Sequence, residues 1–455
     1  MWCVKLSQVF LFKGVFLMKT FNTGDVLEKV QENNVKFIRL QFTDIFGAFK
    51  NIAIPVEELP RALEGQIMFD STVIEGVADP KEEDIYLYPD PKTFVVFPWR
   101  PREGAVARLI CDILTPSGEP FAGCSRYVLK KTLTQAKNMG FDLDVAVEIE
   151  FFLFHTDQQG KPTAYTHDQA GYCALTPVDL GENARRDMVL TLQEMGFEVL
   201  LSHHESAPGQ HKIFLKEDTA LNTADNIATF KFVVRTIAQR HGLHASFMPK
   251  PLNDHNGSGM YLHHILRQGE QNAFYDPAAP QQLSKVAGHY IAGLISQANA
   301  LTAISNPLIN SFKRLNPYYV EPVLAAWSEQ NRETMLRLPA QREEKTRLIL
   351  RSPDPTANPY LTLACSLAAG LNGISRALEP PPMLKEVKDI KLLYREMGLP
   401  RSLAEALFAL AKNDLIKANM GEYISQRFIK AKEKEWERYQ YQVHPWELDE
   451  YLTAF

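Results

Sequence analysis

Glu148 and Glu150 stand two residues apart in the run VAVEIEFF, inside a stretch, Asp144–Phe154, that reads as a β-strand. Successive strand residues face opposite ways. Val145, Val147, Ile149, Phe151 and Leu153 therefore share a face apolar enough for a core, while Ala146, Glu148, Glu150, Phe152 and Phe154 share the other. Two carboxylates on a face that runs on into two phenylalanines do not make a solvated surface. Buried carboxylates require a cation or hydrogen-bond donors, so the pair suggests a site for a hard divalent ion. An isolated pair of this kind is better explained as exposed glutamates on an edge strand. Residues later in the chain shift that balance.

The elements that would position the pair follow from hydrophobic periodicity and turn residues. Ser202–Ile213, SHHESAPGQHKI, reads as a strand, a turn at Ala207–Gln210 and a returning strand, and it carries Glu205 and Lys212. Asn256-Gly257-Ser258-Gly259-Met260 opens a further strand with Tyr261, His263 and Ile265 on one face, and its glycines permit close backbone approach to a ligand. Thr346–Arg351 alternates Arg347, Ile349 and Arg351 against Leu348 and Leu350. Helices are expected over Arg126–Met139, Glu182–Met195 and Asp225–His241, and a helical segment over Ser402–Gln440 follows the rigid Pro380–Pro382 loop. Nearer the N-terminus, a short helix capped by Thr23 or Asp25 precedes strands at Val35–Thr43, Asn51–Val56, Thr93–Phe97 and Val106–Ile113. The loop MFDSTVIEG between them carries Asp70 and Glu75, on their own plain surface carboxylates.

Length and composition bound the rest. A chain of 455 residues with 45% apolar and 23% charged residues is an ordinary globular protein with room for two domains. The turn cluster Pro116–Pro120 divides it into a small strand-rich domain, residues 18–118, and a large one, residues 119–455. Residues 1–17 are expected to be a disordered or non-native extension, since Lys13 and Gly14 interrupt their apolar run. A net charge of −5 without a long basic run points away from nucleic acid, and no run of 18 apolar residues predicts a membrane span. Five cysteines, odd in number and without C-x-x-C spacing, fit reduced thiols and a cytoplasmic setting.

FDSTVIEG, LYPDPKTFVVFPW, VEIEFFLF, SHHESAPGQH, FMPKP, NGSGM, NSFKRL, AAWSEQNR, RSPDPTANPYL and QVHPWE occur in this order. With them the chain, from about Asp25 to Phe455, resembles a bacterial type I glutamine synthetase. The resemblance implies an α+β fold: a small β-grasp domain, then a large catalytic domain of antiparallel strands and helices. It also implies a dodecamer of two hexameric rings, with FIKAKEKEWERYQYQVHPWE matching the segment that inserts into the opposite ring. Members of the family use ATP to phosphorylate the γ-carboxylate of glutamate, and ammonia then displaces the phosphate. Two Mg or Mn ions neutralise the phosphoryl oxygens and place the reactants.

Carried over residue by residue, that site is half present. Glu150 and Glu205 match two of three glutamates that hold one metal, but the third position is Lys212. Glu148 matches a ligand of the other metal, whose His and second Glu are here Tyr261 and Ile349. The flap glutamate that closes over the intermediate falls on Val320, with Glu321 one residue along. Asp70 matches a residue lent to a neighbouring subunit's ammonium site, and Arg351 one that contacts the substrate's γ-group. Arg332 and Arg337 match arginines that face phosphate, Arg314 the grip on glutamate's carboxylate, and Asn256 and Gly257 further glutamate-binding positions.

Three carboxylates against one ammonium leave a charge of about −2, enough for one divalent ion and not two. Lys212 is expected to put its ammonium where a metal would sit, pairing with Glu150 and Glu205. Three functional readings follow, the third a structural oligomer with no ligand, against which four arginines in one cavity without an anion count. In the first, the chain is a paralogue that has lost two-metal ligase chemistry and serves as a ligand-binding or regulatory protein. It would bind glutamate and nucleotide, alone or in mixed rings with an authentic synthetase. In the second, it is an active γ-glutamyl ligase that uses ATP, ammonia or another amine, and a single metal on Glu148, Glu150 and Glu205.

Overall fold

The computed structural model describes residues 22–71, 84–101, 103–319 and 321–455. Val320, Glu75 and the 1–17 segment lie outside the described residues.

Six strands form the N-terminal sheet: β1 (Val35–Thr43), β2 (Phe49–Pro55), β3 (Ile67–Phe69), β4 (Ile85–Pro89), β5 (Val95–Val96) and β6 (Ala105–Leu114). Their order is β2-β1-β6-β4-β3, with β5 beside β6. The central β1–β6 pair is parallel, and β1 pairs with β2 as an antiparallel hairpin. The helix Thr23–Glu32 buries Val26 and Val30. Its cap is Asn22 rather than Thr23 or Asp25. The Asn22 side chain accepts from the Asp25 N–H at 3.0 Å, while the Asp25 carboxylate accepts from the Asn22 N–H at 2.8 Å. The strand expected over Thr93–Phe97 shrinks to two residues, because Pro91 starts a tight helical turn that runs through Thr93.

A second, ten-stranded sheet is organised on β7 (Asp142–Thr156). The others are β8 (Pro162–Thr166), β9 (Val199–His204), β10 (Gln210–Thr219), β11 (Leu243–Ser246), β12 (Met260–Gln268), β13 (Gln271–Asn272), β14 (Leu324–Ser328), β15 (Thr334–Arg337) and β16 (Leu348–Leu350). The main path runs β14-β15-β16-β12-β7-β10-β9. Val145, Val147, Ile149, Phe151 and Leu153 are fully buried, as their alternation requires. The helix Ala220–Arg240 lies on that side, where Phe230 and Phe151 meet edge to face at 6.2 Å. This helix starts five residues before the expected Asp225. The Asp225 carboxylate is buried inside the helix and receives Arg126 Nε at 3.0 Å and Nη2 at 2.9 Å. Arg126 also pairs with Asp90 and Asp112, which ties the two sheets together through one guanidinium. Toward the C-terminus the expected helical segment is three helices, Leu403–Ala411, Asp414–Met420 and Glu422–Gln440.

Candidate functional site

Glu148 and Glu150 rise from the face of β7 opposite the core. Antiparallel register sets Lys212 of β10 directly across from Glu150, and Tyr261 of β12 directly across from Glu148. Glu205 follows the end of β9 and comes back over the same spot. Lys212 Nζ lies 2.8 Å from Glu205, 3.0 Å from Glu150 and 3.2 Å from Glu148. An ammonium has three N–H donors, and here each has a carboxylate. Sequence reasoning placed two of those partners; Glu148 is the third.

The protonation states follow from this packing. Burial alone would weaken the Lys212 base, but the charge of Glu150, with Tyr261, Glu148 and Glu205 behind it, raises it well above the ordinary lysine value. Burial likewise disfavours the Glu148 carboxylate, yet the His263 hydrogen bond and the Lys212 charge hold it down at about 2. Glu205 is raised by burial and by the neighbouring Glu150, and Lys212 offsets only part of that. Glu150 is secured from below by the Gly259 N–H at 2.7 Å.

Around the ion cluster the replaced positions are apolar or capped. The Tyr261 ring has Lys212 Nζ 5.0 Å from its centroid and the Arg351 guanidinium also at 5.0 Å. Burial, then the Glu150 charge, push its hydroxyl up to about 12, so it is no anionic ligand. Ile349 is buried and lies opposite His263 in the β12–β16 register. His263 Nε2 reaches Glu148 at 2.9 Å. Its only sequence signal was a place on the strand face two residues beyond Tyr261.

These residues do not fit a divalent ion. Every carboxylate that would ligate it already bonds Lys212, Tyr261 is protonated, and Ile349 offers no donor. One other group of buried ligand atoms lies among the described residues, Asp168, Asp179, His204 and His211 within 4.8 Å of one another. Arg185 occupies it, 2.8 Å from both Asp179 and His211 Nδ1. His204 bridges Asp168 at 2.9 Å and the Glu205 carbonyl at 2.6 Å. Burial opposes its charge, but those two acceptors raise its basicity. The Arg185 guanidinium and the His204 ring thus meet the two carboxylates, and the group steadies the hairpin.

The remaining candidates divide in two. Arg351 is buried and donates to the Arg332 carbonyl, whereas Arg332 and Arg337 are exposed beside it. Burial, and then the charges of Arg351 and Arg332, lower the Arg337 basicity. Arg314 is sealed inside: its Nε lies 3.1 Å from Glu321, Nη1 donates to the Ser352 carbonyl at 2.9 Å and Nη2 to the Arg351 carbonyl at 3.2 Å. Glu321, one place after the flap position, is therefore held on Arg314. Gly257 passes under this pair so closely that a Cβ would sit 2.2 Å from the Pro249 carbonyl. Asn256 is half-buried and donates to Ser206 at 3.1 Å. Asp70 follows β3 in the other sheet and is exposed.

Residues 122–451 match the family model of the glutamine synthetase catalytic domain, and residues 34–116 that of the glutamine synthetase β-grasp domain. The chain is 49% identical over 444 residues to glutamine synthetases of Clostridium saccharobutylicum and Thermus thermophilus, covering 96% of this chain and 100% of each relative. Among solved structures it is similar to a GmaS/ADP complex, with a TM-score of 0.84 and 30% identity over 94% of this chain and 99% of that one. A Plasmodium falciparum glutamine synthetase shares the fold, with a TM-score of 0.83 at 23% identity over 95% of this chain and 99% of that one.

Proposed function

Since this chain belongs to the glutamine synthetase family, we propose that it is a metal-free member whose Lys212 ammonium replaces the ions of the two-metal reaction. It then serves as a ligand-binding or regulatory protein. The observation that carries this reading is the threefold contact of Lys212 with Glu148, Glu150 and Glu205. Phosphoryl transfer needs cations on the transferring oxygens. A buried ammonium with all its donors on carboxylates has none left for a phosphate. Glutamate recognition is altered too, because an incoming carboxylate would have to displace Glu321 from Arg314. The exposed Arg332 and Arg337 keep a phosphate-facing rim. Assembly as a dodecamer, alone or mixed with an authentic synthetase in the cytoplasm, completes the reading.

The second reading, a ligase with one metal and ammonia or another amine, is favoured by the 49% identity to proteins named glutamine synthetase and by the ADP complex of a structural neighbour. It requires Lys212 to leave its three partners. Glutamate-dependent ADP release with Mg or Mn, over a panel of ammonia and small amines, separates the two. The native protein is expected to release no ADP above a metal-free blank, and Lys212→Glu/Tyr261→His/Ile349→Glu to gain some. Activity of the native protein would sink the metal-free reading and identify the amine.

A further inference from the structure

A cavity of about 630 Å³ lies apart from the Lys212 cluster, with which it shares no lining residue. The β1–β2 hairpin, Trp99 and the helix Ala220–Arg240 wall it, so both domains contribute. Its size falls within the roughly 300–1,000 Å³ of small-molecule sites. Arg39, Lys50, Arg100, Lys231 and Arg235 line it, and among the described residues no Asp or Glu does. Lys50 has buried Asp44 at 3.7 Å. Lys231 Nζ instead donates to two neutral groups, the carbonyls of Pro355 at 3.1 Å and Ala357 at 3.3 Å. Arg235 is exposed, with its guanidinium 5.2 Å over the Phe247 ring.

Two further features say what such a cluster of cations would hold. Trp99 and Phe232 meet edge to face at 5.5 Å and give the cavity a half-buried aromatic wall. Gln41 faces the cavity at 4% exposure, and its side-chain oxygen has no hydrogen-bond partner. Five cations lining one cavity, with only Asp44 near Lys50, call for an anionic group, an orphaned acceptor calls for a donor, and an aromatic wall suits a flat ring. A nucleoside phosphate supplies all three. Guanidinium forks match phosphate oxygens without a metal, and base–aromatic stacking tolerates any base.

We propose that this interdomain cavity binds a nucleoside phosphate without a metal ion, with the phosphate against Lys231, Arg235 and Arg39 and the base against Trp99 and Phe232. The site shares no residue with the Lys212 cluster, and the inference does not depend on what that cluster does. Burial, and then the charge of Arg235, push the Lys231 ammonium down to about 8, and the charges of Asp354 and Asp44 offset only part of that.

Calorimetric titration of the assembled full-length protein with AMP and with ribose 5-phosphate, both in EDTA, tests this directly. The native protein is expected to bind AMP at least about fivefold more tightly than ribose 5-phosphate, the lower end of one stacking contact. Arg39→Ala/Arg235→Ala should weaken AMP at least about tenfold, as the loss of charge-assisted contacts requires. Both side chains are solvent-accessible, so the fold is expected to survive, and Arg235→Ala alone serves if the pair does not express. In Arg332→Ala/Arg337→Ala, which alters the phosphate-facing rim beside the Lys212 cluster, AMP binding should keep the component that Arg39→Ala/Arg235→Ala removes. No binding in EDTA would overturn the proposal, as would equal affinity for the two probes. So would loss of binding in the Arg332/Arg337 variant with retention in the Arg39/Arg235 variant, which would place the nucleotide at the family site instead.

Discussion

Lys212 is where one side chain decides the chemistry. It lies across the sheet from Glu150 and bonds three carboxylates at 2.8–3.2 Å. Removing one partner of a buried ion network strands the others, typically at about 3–5 kcal/mol. Lys212→Ala should therefore lower the urea midpoint sharply in EDTA. Mn should restore much of that loss, about 2.7 kcal/mol at a hundred times its Kd, and should leave the native protein unmoved. Native protein that Mn stabilises would contradict an ammonium-filled site. The pH dependence has a definite sign. Glu148 is depressed from 4.5 to about 2 in the fold, so its contribution is complete above about 4.5 and fades as pH falls toward 2. Lys212 is raised, so its contribution persists through neutrality and is lost only above the ordinary lysine range. The stability gap between the native protein and Lys212→Met should accordingly be wider at pH 7 than at pH 3. A gap still undiminished at pH 3 would mean that Glu148 does not titrate with the pair.

At the scale of elements, strands report their faces in the sequence and loops do not. The alternation in β7 separated the core residues from Glu148 and Glu150, and the turn at Ala207–Gln210 put Lys212 within reach of Glu205. The register that brings Glu148 to the same ammonium depends on how β12 and β10 flank β7, which no local pattern carries. The Arg314–Glu321 pair was illegible for a similar reason, since a loop folds back on its own helix and is closed by backbone carbonyls 37 and 38 residues away from Arg314. The helix expected from Asp225 starts at Ala220, and Asp225 lies inside it as part of a core ion pair. NGSGM shows how tight this packing is. A Cβ on Gly257 would meet a backbone oxygen at 2.2 Å, which cannot swing aside, and the Arg314 side chain at 3.0 Å. Gly257→Ala should thus cost about 1–3 kcal/mol, read from the urea midpoint. A neutral substitution would show that the segment has slack.

On the scale of the whole molecule, the chain ends in a surface that one subunit leaves open. Tyr441, Val443, Trp446, Leu452 and Phe455 are exposed at 87%, 68%, 61%, 72% and 103%. They follow directly on the helix Glu422–Gln440, whose Ile424 and Phe428 are buried in the core. Apolar residues this exposed and this contiguous mark a contact with another chain, and in the proposed assembly this segment joins two rings. Deleting residues 441–455 removes those contacts and leaves Ile424 and Phe428 docked. The truncated protein is expected to keep its far-UV dichroism and to lose about half its native mass in light scattering, as the proposed pairing of two rings through this tail requires. An unchanged mass would assign ring pairing to another surface. A fall to single subunits would mean that the tail also supports contacts within a ring.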